Sequence, residues 1–268
     1  MKTHSNQRFV PVVENLEGRQ LFAAGPTVLA HDATGTLFTL NVGSGQTHTI
    51  GRTGVTLYDI AADRRGNVFG VDSRSSLYKI NKTTAKATRV GSVGTFVNAL
   101  TFAPNGDLLA AGRNQLVKIN TGTGRGTVLG NLGGNTSSGD LAFDSSGRLF
   151  LSTTRNELVR VNSARGGATR VGAIGFRDVY GLVFAGGKLY GMSNSSERAF
   201  TISTSTGRGT QTSFFGAKVR GLYGSTTLPS GMGASTSARP GATATNPFGT
   251  KPIGSAGVVD LPATTRQA

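Results

Sequence analysis

The sequence predicts an all-β protein in which one structural unit is repeated five times. The segment LYKIN at 77–81 returns as LFTLN at 37–41, LVKIN at 116–120, LVRVN at 158–162 and, in a weaker form, AFTIS at 199–203. These segments start about 40 residues apart, and a period of that length is typical of repeat architectures. Glycine accounts for 40 of the 268 residues, many of them at predicted turns, and no stretch has the sustained apolar spacing of an amphipathic helix.

Each repeat contains four short apolar runs separated by turn residues, which indicates four strands. In the second repeat, YDIAAD at 58–63 is the first strand, a turn with Gly66 follows, and VFGVD at 68–72 is the second strand. LYKIN is then the third strand and TRVG at 88–91 the fourth. Four-stranded units of this length are typical of propeller blades, in which each sheet is buried on both faces. We therefore predict a five-bladed β-propeller of four-stranded blades.

The phase of the repeat predicts how the ring closes. The N-terminal repeat begins at 28–30 with the strand that is second in the other repeats. The segment VRGLYG at 219–224 matches a first strand and has no partner in its own repeat. The C-terminal strand therefore completes the N-terminal blade, so that the ring has no open sheet edge.

Three regions follow from this organisation: a leader at 1–26, the propeller at 27–226 and a tail at 227–268. The tail is expected to be disordered, because it is rich in Gly, Ser, Ala, Thr and Pro and has few large apolar side chains. The apolar run FVPVV at 9–13 is too short for a standard secretory signal, and no stretch is predicted to span a membrane. Because the chain has no cysteine, it has no disulfide and no thiolate metal site.

The leader contains a short motif. The segment VENLEGRQLFAAG at 13–25 resembles the N-terminal LEPR-XLL element of planctomycete surface proteins, with matches at Glu14, Leu16, Glu17, Arg19, Leu21 and Ala24. Gly18, Phe22 and Ala23 depart from the usual Pro, Leu and Ser. The resemblance implies an exported or cell-surface bacterial protein; the alternative is a leader with no sorting role.

The repeats themselves resemble NHL-repeat and gluconolactonase-like propellers in their blade pattern. That group contains lactonases, scaffolds and carbohydrate binders, so the resemblance implies a fold and leaves the activity open.

The chain is strongly basic, with 28 Lys and Arg residues against 13 Asp and Glu residues. Propeller topology places the turns after the first and third strands on one face, here called the basic face, and the turns after the second and fourth strands on the opposite, mixed face. Further cations on the outer two strands form a predicted basic rim: Lys79, Lys118, Arg160, Arg89 and Arg170.

The basic face and rim are expected to attract an anionic polysaccharide or another surface component. The alternative is that this charge only keeps a glycine-rich protein soluble. Nucleic acid is disfavoured, because neither a recognition helix nor a recurring aromatic platform accompanies the cations.

The mixed face carries the candidate small-ligand site, in the loops before the first strands. Its carboxylates, amide and aromatic rings are the groups that a sugar-binding surface combines: Asp59, Phe96, Asn98, Asp140, Phe176, Arg177, Asp178 and Tyr180. Phe96 and Tyr180 have an alternative role in packing between blades.

Evidence for catalysis is sparse in the sequence. His4, His31 and His48 are not spaced as metal ligands, and no G-x-S-x-G motif is present. The segments GTGRGT at 122–127 and STGRGT at 205–210 align with hairpin turns between third and fourth strands, so they are not phosphate loops.

First-strand carboxylates occur in two blades, as Asp59 and Asp140, where we align Ala99, Gly181 and Gly221 in the others. We therefore predict a monomeric binding module without catalysis, cofactor or metal. The alternative is an extracellular hydrolase or lyase that acts on sugars.

Overall fold

Five antiparallel sheets of four strands each make up the structure, a computed structural model that describes residues 25–216, 219 and 221–229. These residues form twenty strands and no α-helix, which confirms the predicted five-bladed β-propeller. None of them belongs to a helix that is long and apolar enough to cross a membrane. The predicted sorting motif and nearly all of the predicted tail lie outside the described residues.

Each sheet is one blade. Blade 1 consists of β1 (Thr27–Asp32), β2 (Thr36–Asn41), β3 (Thr47–Arg52) and β20 (Leu222–Thr226). Blade 2 consists of β4 (Leu57–Ala62), β5 (Val68–Asp72), β6 (Ser76–Ile80) and β7 (Ala87–Ser92). Blade 3 consists of β8 (Ala99–Phe102), β9 (Leu108–Gly112), β10 (Gln115–Ile119) and β11 (Gly126–Asn131). Blade 4 consists of β12 (Ser137–Phe143), β13 (Leu149–Thr153), β14 (Glu157–Val161) and β15 (Ala168–Ala173). Blade 5 consists of β16 (Val179–Ala185), β17 (Lys188–Ser193), β18 (Arg198–Ile202) and β19 (Gly209–Phe214).

The closing strand lies in blade 1. Strand β20 pairs antiparallel with β1 and becomes the inner strand of that blade, as predicted. Its register differs from the predicted alignment, since Gly224 and not Gly221 pairs with His31 and so takes the position that Asp59 has in blade 2. The register shift between His31 and Asp32 recurs beside Asp59 in blade 2 and beside Gly181 in blade 5, so Gly224 is equivalent to these two residues.

A hydrophobic core lies between each pair of neighbouring blades, which gives five buried clusters around the ring. The second strands are the most deeply buried, and every residue of β9 and of β13 is buried. The fourth strands contain mostly half-buried and exposed residues because each is the outer edge strand of its sheet and pairs with a strand on one side only. This gradient explains why apolar residues run together in the inner strands, and why the outer strands tolerate charge.

Glycines allow the outer edges of neighbouring blades to approach closely. A Cβ atom on Gly91 would lie 3.0 Å from the carbonyl carbon of Thr123 in the next blade, and one on Gly130 would lie 2.8 Å from that of Arg165. The same contact recurs between Gly172 and Thr206. The glycine-rich segments at 122–127 and 205–210 therefore include the predicted hairpin turns, and these turns pack against the preceding blade.

Candidate functional site

An aromatic depression opens at the mixed-face end of the central channel. Its volume is about 350 Å³, and it is lined by Tyr58, Phe96, Asn98, Ser138, Gly139, Tyr180, Asn194 and Tyr223. Five of these residues hold the same position in the repeat, one residue before the ring formed by Asp59, Ala99, Asp140, Gly181 and Gly224. Every blade therefore contributes to the depression.

The aromatic rings hold one another in place by edge contacts. The ring of Tyr58 lies 6.2 Å from that of Phe96 and 5.9 Å from that of Tyr223, in both cases edge to face. The ring of Tyr223 lies 6.0 Å from that of Tyr180. On the outer side, the guanidinium of Arg113 sits 5.7 Å from the centre of the Phe96 ring. Such contacts restrain the rings, so the depression is largely preformed.

Two amides add polar groups to the depression. The Nδ2 atom of Asn98 donates to the carbonyl oxygens of Ser137 and Ser138, at 3.3 Å each, which fixes the orientation of the amide. Asn194 also lines the depression. Burial raises the pKa of Tyr180, and the charge of Asp178 raises it further, so this hydroxyl is a donor at neutral pH. None of the described residues that line the depression carries a charge.

One residue further along the inner strands, a pair of buried carboxyl groups closes the channel. Asp59 and Asp140 are both 0% exposed. Asp59 accepts hydrogen bonds from the backbone N–H groups of Ile60, at 2.7 Å, and Leu100. Asp140 accepts from the backbone N–H groups of Leu141, at 2.7 Å, and Leu182, at 2.6 Å.

This carboxyl pair gathers contacts from all five blades. Leu100 belongs to blade 3 and Leu182 to blade 5, and the hydroxyl of Ser225 in blade 1 donates to Asp140 at 3.3 Å. On the side of blade 1, a Cβ atom on Gly224 would fall 2.6 Å from the Cα of Asp59, so only glycine fits there. Small residues around the ring therefore make room for the two acids.

Burial shifts the pKa values of both carboxyl groups in the same direction. Burial raises the pKa of Asp59 well above its ordinary value, and the neighbouring Asp140 carboxylate raises it further. Burial also raises the pKa of Asp140, against the hydrogen bonds that its oxygens accept. Two neighbouring buried carboxyl groups cannot both be ionised at low energetic cost, so the raised pKa values favour a state in which at least one of them is protonated.

The structure brings together some of the residues that the sequence suggested. Phe96, Asn98 and Tyr180 line the depression, whereas Asp59 and Asp140 lie buried beneath it. The other three lie outside the lining: Phe176 stacks on Phe200 with ring centres 3.9 Å apart, Arg177 is exposed and Asp178 is half-buried in a loop.

Sequence reasoning missed Tyr58, Ser138, Gly139, Asn194 and Tyr223. Aligning the YD, YG and YG pairs at the starts of three inner strands would have found the two tyrosines.

The rim cations are exposed, and several have partners. Lys79, Lys118 and Arg160 occupy equivalent solvent-facing positions of the third strands in blades 2, 3 and 4. Lys118 forms an ion pair with Asp107 at 2.7 Å, Arg170 pairs with Glu157 at 2.6 Å, and Arg89 donates to Ser76 Oγ at 3.4 Å. Lys79 and Arg160 form no ion pair with any described residue.

Among residues 25–216, 219 and 221–229, no three His, Cys, Asp or Glu side chains come together as a group that could hold a metal ion.

The fold and the depression define a five-bladed β-propeller whose channel has an aromatic mouth. No protein-family model matches the chain, and no curated protein sequence matches it. The structure is similar to a chain in the crystal structure of a nidogen/laminin complex, with 18% identity and a TM-score of 0.52 over 76% of this chain and 85% of that chain. It is also similar to a structural genomics protein of unknown function from Bacteroides thetaiotaomicron, with 14% identity and a TM-score of 0.53 over 69% of this chain and 54% of that one. At these identities the similarity extends to the propeller fold alone.

Proposed function

We propose that this protein is an exported binding module whose aromatic depression holds a neutral sugar ring. The observation that carries the proposal is the uncharged frame of three tyrosines and a phenylalanine, with two amides between them. A sugar ring presents C–H groups to an aromatic face and hydroxyl groups to amide and phenol partners, so this combination fits it. The volume of about 350 Å³ lies in the range of small-ligand pockets, roughly 300–1,000 Å³.

Binding is favoured over catalysis by the burial of the inner-strand acids. A sugar hydrolase or lyase needs an acid or base within hydrogen-bond reach of the substrate. Asp59 and Asp140 are 0% exposed, and their oxygens already accept backbone hydrogen bonds, so neither contacts a ligand in the depression. The enzymatic alternative would be supported by new reducing ends or unsaturated products after incubation with oligosaccharides.

Tyrosine fluorescence offers a direct test of sugar binding. The chain has no tryptophan, and three of its five tyrosines line the depression, so a bound sugar should change the emission. Titration of the full chain with neutral oligosaccharides should saturate. Tyr180→Ala should weaken binding about ten-fold, whereas Tyr180→Phe, which keeps the ring, should weaken it only about two-fold. Equal effects of the two variants would show that the aromatic face is not the contact.

Export is the second part of the proposal and depends on the leader. The resemblance to the LEPR-XLL element supports it, through residues that lie outside the described part of the chain. In the native host, joint replacement of Glu17, Arg19 and Leu21 should change where the protein is found after cell fractionation. Normal delivery of this triple variant would remove the support for a sorting role.

Attraction of an anionic polysaccharide by the basic rim is a second candidate function. It is favoured by the equivalent, exposed positions of Lys79, Lys118 and Arg160 in three consecutive blades. Lys118 pairs with Asp107 and Arg170 pairs with Glu157, and these ion pairs reduce the positive charge of the rim. We therefore expect the rim to attract an anionic polymer by long-range electrostatics, without a defined binding site.

A further inference from the structure

A groove lies on the basic face between blades 4 and 5. Its volume is about 750 Å³, which is larger than that of the aromatic depression. The first turn of blade 4 forms one wall, and the first and last turns of blade 5 form the others. None of the predicted site residues lines it.

The wall that blade 5 contributes is a shortened turn with two glycines. Blade 4 uses five residues, 144–148, between Phe143 and Leu149, whereas blade 5 uses four, 185–188, between Phe184 and Leu189. The tip of the shorter turn is Gly186–Gly187, with φ of 56° and 76°, the left-handed geometry of a two-residue hairpin. Both glycines line the groove, and a Cβ atom on Gly187 would meet nothing within 4 Å, so this turn fills none of the space.

The lining of the groove is basic. Arg148, Lys188 and Arg208 contribute positive charge, and Asp144 contributes the negative charge. Asp144 is engaged by Arg148, whose Nε lies 2.6 Å from Oδ2, and it also accepts from the turn amides. Lys188 and Arg208 are exposed and form no ion pair with any described residue, so their charges face the groove uncompensated.

The rest of the lining is suited to a sugar. Phe143 and Phe184 lie in the groove with part of their surface exposed. Hydroxyl groups of Ser145, Ser203 and Ser205 stand around them, and the last two are 3.1 Å apart. An inorganic anion would use the cations alone, whereas a sugar uses rings and hydroxyls as well.

We propose that this groove binds an acidic sugar unit, with its carboxylate or sulfate held by Lys188 and Arg208 and its ring lying against Phe143 and Phe184. This site is separate from the aromatic depression and does not depend on the function proposed for that depression. Charge-assisted hydrogen bonds from a lysine and an arginine to one anionic group are stronger than neutral ones, so they determine the preference for an acid.

The repeat supplies a matched control for the test. Arg125 and Arg208 occupy the same position in the turns TGRGT of blades 3 and 5, both on the basic face, but only Arg208 lines the groove. Isothermal titration of the full chain at low salt would use digalacturonate and its dimethyl ester, which has the same rings without the charge. Circular dichroism would confirm that each variant is folded.

Digalacturonate should bind with one site per chain, and the ester should not bind measurably. Arg208→Gln and Lys188→Gln should each weaken binding about ten-fold, whereas Arg125→Gln should change it by less than about two-fold. Tyr180→Ala should leave this affinity unchanged, which separates the groove from the aromatic depression. Equal losses in Arg125→Gln and Arg208→Gln, equal binding of acid and ester, or no binding of digalacturonate at low salt would each overturn the proposal.

Discussion

Replacing His31 by valine should make the propeller more resistant to acid. His31 is fully buried in β1, and its Nε2 atom lies 3.3 Å from Thr53 Oγ1. Its Nδ1 atom has no hydrogen-bond partner of good geometry. Burial lowers the pKa of His31 to about 4, although the charge of Asp32 and nearby backbone carbonyls favour the protonated form. Valine is a natural replacement because Val71, also fully buried, occupies the equivalent position in blade 2.

The size of the effect follows from proton binding. The unfolded chain binds the proton with a pKa of 6.5 and the folded chain with a pKa of about 4. The part of the stability that depends on a neutral His31 is therefore fully present above pH 6.5. It is lost as the pH falls from 6.5 towards 4, because protons then bind preferentially to the unfolded chain. One pKa unit corresponds to about 1.4 kcal/mol, so His31 should cost about 2 kcal/mol at pH 5 relative to pH 8.

Urea unfolding at pH 8 and pH 5, followed by circular dichroism, measures this difference. The valine variant leaves a small cavity and should be less stable than the wild type at pH 8, by about 1–2 kcal/mol. Between pH 8 and pH 5, however, it should lose about 2 kcal/mol less stability than the wild type. Acids that titrate in this range are common to both proteins, so they cancel in the comparison.

The control is His48→Thr, which changes an exposed histidine to the threonine found at the equivalent position of β7, Thr88. This variant should keep the acid sensitivity of the wild type. If His31→Val loses as much stability between pH 8 and pH 5 as the wild type does, His31 does not stay neutral in the folded chain and the reasoning fails.

The outer glycines, the carboxyl pair, the closing strand and the rim can each be tested. Gly91→Ala should lower the free energy of unfolding by about 1–3 kcal/mol because its Cβ would overlap the next blade. The Cβ of Gly122→Ala would meet only Asn120 Oδ1, at 3.4 Å, so this variant should have little effect in the same urea titration. Asp59→Asn should weaken the fold and remove the loss of stability that the wild type shows as the pH rises through the raised pKa of Asp59. An unchanged dependence of stability on pH would contradict that raised pKa. Truncation after Pro229 should leave the melting temperature nearly unchanged, and truncation after Phe215, which removes β20, should cause unfolding or aggregation; equal melting would refute closure by that strand. Changing the three third-strand cations to Gln should reduce both the affinity for a sulfated polysaccharide and its salt dependence, with an unchanged far-ultraviolet spectrum, and a salt-independent affinity would exclude the rim: Lys79, Lys118 and Arg160.

The sequence predicts the blades well because each strand is encoded several times. Four nearly equivalent copies of the LYKIN segment indicate the third strand, and the unmatched segment at 219–224 indicates closure by the C-terminal end. The predicted register of that strand was wrong because GL at 221–222 resembles GL at 181–182, whereas the structure aligns YG at 223–224 with YG at 180–181.

The site was harder to predict because burial decides the role of its acids. Asp59 and Asp140 were expected at the channel mouth, since a carboxylate in a loop usually faces solvent. The small residues at the equivalent positions, Ala99, Gly181 and Gly224, were a signal that this ring of positions is crowded. The groove between blades 4 and 5 depends on one shortened turn, which a repeat alignment treats as a simple deletion.

The carboxyl pair also separates the openings on the two faces of the propeller. Asp59 and Asp140 come from blades 2 and 4, each accepts an N–H group from the following blade, and blade 1 completes the cluster with Ser225. This arrangement closes the channel between the aromatic depression on one side and a small opening of about 120 Å³ on the basic side. A ligand in the depression therefore cannot reach the groove through the ring. Backbone hydrogen bonds, and not mobile loops, hold this carboxyl pair in place. We therefore expect a neutral sugar in the depression and an acidic sugar in the groove to bind independently, each with an affinity unchanged by the other.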